Sequence, residues 1–352
     1  MLDKKFWKNK RVLVTGHTGF KGSWLTQILL TLGAEVSGYA LEPNTENSLY
    51  SMLKLNKEIN SIIGDITDID KVISTFAAIN PEIVIHMAAQ PIVRVAYADP
   101  VNTFKTNVMG TVNILEAIRY TNTIKSVINV TTDKVYQNNE WLWGYRESDI
   151  LCGQDPYSNS KSCSELVTYS YINSFFADEH APAISTARSG NVIGGGDFSP
   201  NRIIPDCFTA AKMGSVIEVR NPNSIRPYQH VLECLNGYLS LAELQFVDKS
   251  KYMGSYNFGP RQEDCLTTGE ITELFCKSWG NGLRWVSQKA KGPHEANFLK
   301  LDCSKAHTVL GWEPKWSLSQ AINSTVEIYK ALIYSPDSIK DIIINQIEEF
   351  NF

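Results

Sequence analysis

Closely spaced cysteine pairs, long apolar runs and an excess of basic residues are all missing from this sequence. Seven cysteines are scattered over 352 residues without a C-x-x-C pair, which argues against a disulfide framework or a zinc site and favours free thiols in a reducing compartment. No run approaches the roughly 18 apolar residues of a membrane helix, and the first residues lack the apolar core of a signal peptide. We therefore expect a cytoplasmic protein with no metal and no membrane association.

The charge balance excludes one further class of partner. Lys plus Arg number 33 against 37 for Asp plus Glu, so the net charge is -4. This is too acidic for general electrostatic capture of nucleic acid. We expect no nucleic-acid partner, and any anionic ligand must be met by a few placed cations.

What the sequence does contain is a regular alternation of strand and helix patterns. Its 43% hydrophobic content is ample for a large core. The strand-like runs RVLVTG, EVSGYAL, EIVIHMAA and SVINVTT alternate with helical patterns at 23–32, 69–79, 102–120 and from Tyr157 onward. This alternation predicts an α/β fold of Rossmann type, with a doubly wound parallel sheet. Ligands of such sheets bind beyond the carboxyl ends of the strands.

The sequence pattern changes near residue 188. After AISTARSGNVIGGG, loops such as DFSPNRIIPD and NPNSIRPYQH replace the regular alternation, and the helical patterns become shorter. We expect a dinucleotide-binding domain over 1–187, to which segments near 228–260 return, and a smaller mixed α/β substrate domain mainly over 188–352. The apolar spacing of the last segment, SIKDIIINQIEEFNF, predicts a helix packed on this chain or on a second copy.

A glycine-rich loop follows the first predicted strand and opens the first predicted helix. TGHTGFKG places Gly16, Gly19 and Gly22 at intervals of three. Glycine permits a tight turn, close approach of backbone amides to a pyrophosphate, and close packing of helix on strand. The spacing differs from G-x-G-x-x-G and would also suit a plain turn, but the position of the loop favours a dinucleotide site.

Two acidic residues are candidates for the adenosine half of such a cofactor. Glu42 lies just beyond the second predicted strand, and no arginine accompanies it to receive a 2′-phosphate, which favours NAD over NADP. Asp65 follows the third strand-like run. Its carboxylate suits the adenine amino group, and it would equally suit the N-terminus of the next helix.

The most informative pair is Tyr157 and Lys161 in YSNSK. A spacing of four places both side chains on one face of the predicted helix, so the ammonium would lower the phenol pKa from about 10 and would also reach a cofactor ribose. A phenol of lowered pKa is a workable base for an alcohol. Such a pair is also common on helices by chance, so the neighbouring motifs decide its meaning.

Those motifs follow in the order that an active site requires. The strand SVINV leads into Thr131, Thr132, Asp133 and Lys134, at the carboxyl end where such sheets do chemistry. The preceding strand ends in MAAQ, whose small residues would admit a ribose, and Asn107 in the following helix is a polar anchor.

Together, TGHTGFKG, HMAAQP, TTDKVY and YSNSK resemble the extended short-chain dehydrogenase/reductase family and, within it, the nucleotide-sugar 4,6-dehydratases. GYALEPNT, AAQPIVR, TTDKVYQN, RSGNVIGGGD, NRIIPD and RPYQHVLE are most similar to the group that acts on CDP-glucose, and the similarity runs from about Phe6 to about Trp316. The resemblance implies NAD as the cofactor. It implies that NAD is bound by Gly16, His17, Thr18, Gly19, Phe20, Gly22, Asp65, Ile66, Ala88, Ala89, Gln90, Asn107, Thr131, Tyr157 and Lys161.

The resemblance also implies the reaction, in which CDP-glucose loses water to give CDP-4-dehydro-6-deoxyglucose for deoxysugar and surface-polysaccharide (O-antigen) biosynthesis. Tyr157, activated by Lys161 and assisted by Thr132, would take the C4 hydroxyl proton while hydride passes to NAD. Asp133 would then protonate the departing C6 hydroxyl as a base removes the C5 proton, and the hydride would return to C6.

Two residues depart from the usual pattern of these dehydratases. Many relatives carry a glutamate as the C5 base where this chain has Lys134. Lys134 would serve either as a neutral base, if burial lowered its pKa, or as a cation that stabilises the enolate. His17 replaces a small residue in the glycine loop, and it either reshapes NAD binding or lies at the rim without a role.

The substrate diphosphate requires cations, and Arg202 and Arg226 are the main candidates because guanidinium groups bind phosphate oxygens bidentately. Arg94, Asn191, Tyr228 and His294 are further candidates, each of which would equally suit a surface ion pair or a loop hydrogen bond.

The resemblance implies a homodimer, with a tetramer as the alternative, formed through the helices after Asn102 and Tyr157. Three other functions remain open. One is a 4,6-dehydratase for another nucleotide sugar, and another is a 4-epimerase, against which Asp133 and Lys134 argue. The third is a non-catalytic NAD-binding scaffold, against which the full catalytic set argues.

Overall fold

A computed structural model describes residues 2–43, 45, 47–288 and 298–352 of the chain. Its strands are β1 (Arg11–Thr15), β2 (Glu35–Ala40), β3 (Asn60–Ile63), β4 (Ile83–His86), β5 (Ser126–Val130), β6 (Ala183–Ser189), β7 (Val192–Ile193), β8 (Ile217–Val219), β9 (Gln229–His230), β10 (Ser255–Phe258) and β11 (Trp285–Ser287). Seven of them form a parallel sheet in the order β10-β6-β5-β4-β1-β2-β3. The predicted doubly wound α/β fold is confirmed.

Helices cover both faces of this sheet and build the C-terminal part of the molecule. They are α1 (Lys4–Trp7), α2 (Phe20–Thr31), α3 (Leu49–Met52), α4 (Ile69–Ile79), α5 (Val93–Ala98), α6 (Pro100–Phe104), α7 (Gly110–Arg119), α8 (Pro156–Phe175), α9 (Ile203–Lys212), α10 (Val231–Val247), α11 (Lys249–Tyr252), α12 (Thr268–Trp279), α13 (Leu318–Tyr334) and α14 (Ile339–Phe350). Short 3-10 turns at 55–57, 133–135, 262–264 and 336–338 and π-helical turns at Lys105–Met109 and Ala306–Leu310 complete the described structure.

The central strands are buried because helices pack on both sides of them. β1 pairs with β2 and β4, and Val12 lies in register with Val36 on one side and with Ile83 on the other. One face of the sheet packs against α2, α10 and α14, and the other packs against α4, α7 and α8. Continuous apolar strands are typical of a parallel sheet covered in this way.

The C-terminal part has an apolar cluster of its own. Side chains from α9, β8, α12 and α13 form this cluster, and the ring of Phe208 stacks on that of Tyr329 with centroids 4.3 Å apart. The segment 228–260 contributes differently, since its strand β10 forms an edge of the central sheet beside β6. The two clusters lie on either side of a cleft at the carboxyl ends of the strands.

Helix boundaries agree with the sequence pattern except where tertiary contacts decide them. The helix predicted over 69–79 has those bounds, whereas the one predicted over 23–32 begins at Phe20, because the backbone of Gly19 is extended and starts the helix earlier. The helix predicted over 102–120 begins at Pro100 and contains a π-helical turn at Lys105–Met109. The later helices are not all short, since α13 has 17 residues.

The C-terminal helix packs on its own chain. Ile343, Ile347 and Phe350 of α14 are buried in the same cluster as α2 and α10. Across the described residues, no helix is long and apolar enough to cross a membrane. The same residues hold no group of three His, Cys, Asp or Glu side chains placed to bind a metal ion, and all seven cysteines are free thiols.

Candidate active site

A cleft of about 1200 Å³ lies beyond the carboxyl ends of β1, β4, β5 and β6. Its walls come from the sheet on one side and from the loops before α9 and around β8 on the other. A cavity at this edge is the usual ligand site of a doubly wound sheet. All but a few of the residues that the sequence singled out line this cleft.

The three glycines of the first loop differ in what a side chain at each position would contact. Gly16 has a φ of +79°, and a Cβ there would lie 2.9 Å from the amide nitrogen of Ala88. A Cβ on Gly22 would lie 2.1 Å from the Gly16 carbonyl oxygen. Gly19 is not crowded, since the nearest atom to its Cβ would be 3.4 Å away, and it lines the cleft. Gly16 and Gly22 therefore make the close packing possible, while Gly19 opens the backbone to a ligand.

The N-terminus of α2 points its backbone amides toward this loop. Its N-cap is Gly19, so no side chain in the described chain caps the helix there. The Thr18 hydroxyl donates to the Leu41 carbonyl oxygen at 2.9 Å and ties the loop to the end of β2. Uncapped amides and the helix dipole favour an anion. This cradle fits the pyrophosphate of a dinucleotide, and Phe20 lies on its edge.

His17 does not lie beside the position expected for the pyrophosphate. Its ring is fully buried and occupies the space above Gly38 of β2, and its Nε2 shares a hydrogen bond of 2.8 Å with the Ser61 hydroxyl. Burial lowers the pKa of His17 to about 4. Both alternatives from the sequence, a side chain that faces the pyrophosphate and a rim residue, are therefore corrected: His17 fills the interior behind the loop.

The adenosine end of the cleft carries acidic groups and no described arginine. Leu41 and Glu42 line it after β2, and Asp65 and Ile66 line it after β3. The Asp65 side chain accepts from the amide of Thr67 at 2.8 Å, whereas Asp68 is the N-cap of α4. The helix-cap alternative for Asp65 is therefore wrong. Carboxylates can accept hydrogen bonds from a ribose hydroxyl but repel a 2′-phosphate, so this end of the cleft fits NAD better than NADP.

The loop after β4 is held from both sides. Ala88 and Ala89 line the cleft, and the Thr15 hydroxyl oxygen accepts from the amides of Met87 and Ala88 at 3.1 and 3.2 Å. Thr15 also shares a hydrogen bond of 2.7 Å with Nδ1 of His86. The small residues therefore present a fixed backbone to the cleft.

Gln90 and Asn107 support this loop from behind and do not line the cleft. Asn107 lies in the π-helical turn, accepts from the Gln90 amide at 2.8 Å, and donates to the Gln90 carbonyl at 3.0 Å and to the Ser160 hydroxyl at 2.9 Å. Its amide therefore links the cofactor loop to α8 between Tyr157 and Lys161. Both residues are positioning groups rather than ligand contacts, a correction of their predicted role.

Thr132 and Asp133 form the floor of the cleft at the end of β5. The Thr132 hydroxyl donates to Oδ1 of Asp133 at 3.0 Å. Asp133 is 1% exposed, and its other oxygen, Oδ2, has no hydrogen-bond partner among the described residues. Burial raises the pKa of Asp133, opposed by the charge of Lys134 and the Thr132 hydrogen bond. A buried carboxyl group of this kind can hold a proton and donate it.

Tyr157 and Lys161 lie on one face of α8, as predicted, but their electrostatics differ from the prediction. Lys161 is buried and donates to the Val130 carbonyl oxygen at 3.0 Å, and burial lowers its pKa to about 8. Burial raises the pKa of Tyr157 to about 12, while the Thr132 hydrogen bond and the charge of Arg202 act in the opposite direction. Desolvation outweighs the neighbouring groups that lower the pKa of Tyr157, so this pKa is raised and not lowered as the spacing predicts.

The remaining predicted groups lie on the cleft walls or behind them. Lys134 is partly buried and lines the cleft beside Asp133. Thr131 turns its hydroxyl away from the cleft and donates it to Oε1 of Glu165 at 2.5 Å. Its backbone, rather than its hydroxyl, faces the ligand space.

Arg202 and Arg226 bring positive charge close to Tyr157 and Asp133. Arg202 pairs with Asp197 at 3.1 Å, and its charge lowers the pKa of Tyr157. Arg226 is 9% exposed, and its charge lowers the pKa of Asp133. Three further predicted residues line the cleft, namely Arg94, Asn191 and Tyr228. His294 lies outside the described residues.

Lys21 is a cleft residue that sequence reasoning missed. It lies between the second and third glycines of the loop and donates to the Ser189 hydroxyl at 3.1 Å. Burial lowers its pKa, and its charge lowers the pKa of Asp133. The sequence does contain a feature that points to Lys21: it is a cation inside a glycine loop, where most positions carry small or apolar residues.

Comparison with known proteins relates this site to sugar-nucleotide enzymes. Residues 13–325 match the family model described as GDP-mannose 4,6 dehydratase. The chain is 48% identical to CDP-glucose 4,6-dehydratase of Salmonella typhimurium, over 96% of this chain and 96% of that protein. It is 28% identical to dTDP-glucose 4,6-dehydratase of Streptomyces antibioticus, over 91% and 92% of the two chains.

Solved structures share the fold at lower identity. UDP-glucose 4-epimerase of Thermotoga maritima superimposes with a TM-score of 0.80 at 22% identity, covering 92% of this chain and 99% of that one. The dTDP-glucose 4,6-dehydratase DesIV of Streptomyces venezuelae, solved with NAD bound, superimposes with a TM-score of 0.76 at 23% identity, covering 92% of this chain and 99% of that one. These likenesses establish the architecture.

Proposed function

Because this chain belongs to the family of GDP-mannose 4,6 dehydratases, we propose that it is an NAD-dependent hydro-lyase that converts CDP-glucose to CDP-4-dehydro-6-deoxyglucose and water. One structural observation carries the proposal: Thr132, Asp133 and Tyr157 lie together at the cleft floor, and the buried carboxyl of Asp133 has one unpartnered oxygen. The choice of CDP-glucose is supported by the 48% identity to the Salmonella enzyme over nearly the whole chain.

NAD would be held by the glycine loop, by the small residues after β4 and by the acidic end of the cleft. When bound, NAD would supply a reversible hydride acceptor for oxidation at C4 of the sugar and reduction at C6. The chain itself supplies the fixed backbone amides of α2, the cavity opened by Gly19, and the hydroxyl and ammonium groups of Tyr157 and Lys161. The carboxylates near the adenosine end disfavour the extra phosphate of NADP.

Tyr157 takes the proton of the C4 hydroxyl in the oxidation step. It must act as phenolate, and its burial opposes that charge. Two neighbours offset the cost, since the Thr132 hydroxyl and the charge of the Arg202 guanidinium both act to lower the pKa of Tyr157. Lys161 accepts or holds a proton one helical turn away, where its pKa of about 8 suits transfer near neutral pH.

Asp133 and Lys134 carry the elimination. The protonated carboxyl of Asp133 donates its proton to the leaving C6 hydroxyl, which departs as water, and the raised pKa of this buried group favours the protonated form. Lys134 follows Asp133 in the same 3-10 turn and, in its neutral form, takes the C5 proton. The pair of electrons from the C5–H bond forms the C5–C6 double bond as the C6–O bond breaks.

Arg202 and Arg226 bind the substrate diphosphate. Both lie on the wall that faces the sheet, and both act electrostatically on the catalytic groups. A chain of net charge -4 attracts a nucleotide sugar only through such local cations. Arg94, Asn191 and Tyr228 extend this wall toward the cleft mouth.

A 4-epimerase is the alternative activity on the same fold, and the residues after Thr132 weigh against it. Epimerisation needs oxidation and reduction at C4, so it has no use for an acid and a base at C5 and C6. Asp133 is buried with a raised pKa beside Lys134, which supports elimination.

We further propose a homodimer and the two-domain division at residue 188. Exposed apolar side chains cluster on α6, on the π-helical turn and on α8, including Val101 at 79%, Met109 at 49% and Tyr169 at 69% exposure. A second copy would cover this face. The separate apolar clusters of the sheet and the C-terminal part support the domain division, in which 228–260 returns to the sheet.

A substrate comparison tests the proposal. Purified protein and NAD are incubated separately with CDP-, UDP-, dTDP- and GDP-linked sugars, and each nucleotide sugar is analysed by mass. Loss of one water from CDP-glucose, much faster than from the others, is expected. An unchanged CDP-glucose mass would overturn the substrate assignment.

A further inference from the structure

We propose that the buried ion pair of Glu165 and Arg188 is a positioning device that fixes both ends of the catalytic segment Thr131–Tyr136. The proposal rests on the function given above for Thr132, Asp133 and Lys134, which lie between those two ends. Neither partner of the pair lines the cleft, so their effect on the reaction would be indirect.

Glu165 holds the first end of the segment. Its Oε1 accepts from the Thr131 hydroxyl at 2.5 Å and from Nε of Arg188 at 2.8 Å. Its Oε2 accepts from Nη2 of Arg188 at 2.8 Å and from the Thr186 hydroxyl at 2.7 Å. Four donors saturate this carboxylate, which fixes the Thr131 hydroxyl in one orientation.

Arg188 holds the second end. Its Nη1 donates to the Tyr136 hydroxyl at 2.8 Å and to the Glu147 carbonyl oxygen at 3.2 Å. The Tyr136 hydroxyl in turn donates to Oδ1 of Asn257 at 2.7 Å. One planar guanidinium therefore connects Glu165, and through it Thr131, to Tyr136.

The energetics of burial favour a positional role over a purely stabilising one. Both side chains are 2% exposed, and removing two charges from water costs about as much as their attraction returns. Apolar residues of similar size would serve stability equally well. The planar guanidinium forms two hydrogen bonds at fixed angles, so it fixes the relative positions of the groups that it contacts. This precision matters because catalytic groups misplaced by about 1 Å lose most of their effect.

The pair also lies next to the catalytic lysine. Glu165 follows Lys161 by one turn of α8, and its negative charge favours the ammonium form of Lys161. Lys161 donates to the carbonyl of Val130, directly before Thr131. The Glu165 carboxylate therefore interacts both with the first residue of the segment and with Lys161, which contacts the residue before it.

Matched variants of Thr131 provide the test. Thr131→Val keeps the shape and removes the hydroxyl, while Thr131→Ser keeps the hydroxyl. We expect Thr131→Val to lower kcat about tenfold or more with KM and NAD affinity within about threefold of wild type, and Thr131→Ser to restore kcat. A merely structural role would lower the unfolding temperature and leave kcat unchanged, which would overturn the proposal.

A second readout separates this proposal from the proposed function. Amide hydrogen exchange of the peptide covering 131–136 requires no substrate, and Thr131→Val and Tyr136→Phe should each accelerate it while distant strands stay protected. In the double variant the loss of kcat should be less than the product of the two single losses, since both contacts restrain one segment. Unchanged exchange would overturn the positioning role. Accelerated exchange in a protein inert toward CDP-glucose would overturn only the proposed function.

Discussion

The hydroxyl of Thr132 donates a hydrogen bond to Oδ1 of Asp133 across 3.0 Å and leaves Oδ2 without a partner in the described chain. Burial raises the pKa of this carboxyl group. The bonded oxygen is thereby fixed, and the unpartnered one is available to carry and release a proton. This relationship supports Asp133 as the proposed acid of the elimination step.

Replacing Asp133 by Asn should separate oxidation from elimination. We expect dehydration to fall by a factor on the order of 10² to 10⁴, the usual contribution of a general acid. A nucleotide sugar lighter by two hydrogens, but retaining its C6 oxygen, should accumulate to the amount of enzyme and be visible by mass. Glu140→Gln makes the matching change at an exposed position of the cleft lip and should dehydrate normally. Full activity of Asp133→Asn would contradict the assignment.

Lys134 can be tested by separating its basicity from its charge. Lys134→Arg keeps a cation but provides no base near neutral pH, and Lys134→Gln removes both. Because Lys134 is the proposed C5 base, both variants should lose at least about 100-fold in turnover. Both should also fail to exchange the C5 hydrogen with deuterium oxide. An active Lys134→Arg would instead make this residue an enolate-stabilising cation.

The sequence predicted those features that depend on short stretches of chain. Thr132 and Asp133 directly follow a buried strand, so their place at the sheet edge follows from the parallel fold. Tyr157 and Lys161 share a helix face because their spacing is four. The glycine loop was interpretable because it joins the first strand to the first helix.

Features that depend on distant contacts could not be predicted in the same way. His17 turns into the interior because Gly38, on the neighbouring strand, leaves room for its ring. Asn107 meets the backbone of Gln90 because a π-helical turn aims its amide there, and no local pattern signals that turn. The raised pKa of Tyr157 reflects its burial, which the spacing to Lys161 does not reveal.

Alanine substitutions in the glycine loop should have opposite consequences at neighbouring glycines. Gly22→Ala would place a Cβ 2.1 Å from a backbone oxygen, so we expect destabilisation by about 1–3 kcal/mol or failure to fold. Gly19→Ala has room within the protein but protrudes toward the cleft. It should fold normally and bind NAD at least about tenfold more weakly. Thermal unfolding and calorimetric titration measure both effects, and normal NAD binding by Gly19→Ala would contradict the site.

His17 should make stability depend on pH. Its pKa is about 4 in the folded protein against 6.5 unfolded, so the unfolded chain binds more protons between these values. Its contribution is fully present above pH 6.5 and is lost as the pH falls toward 4. The wild type should lose about 2 kcal/mol more than His17→Gln between pH 7.5 and pH 5. Urea unfolding at several pH values measures this, and parallel curves would contradict the burial of a neutral imidazole.

The most direct test of the account follows one hydrogen through the reaction. CDP-glucose carrying deuterium at C4 is incubated with wild-type protein and NAD, and the position of the label in the product is determined by NMR. We expect deuterium at C6, with no product from Tyr157→Phe. Deuterium retained at C4, or lost to water during dehydration, would contradict the proposed mechanism.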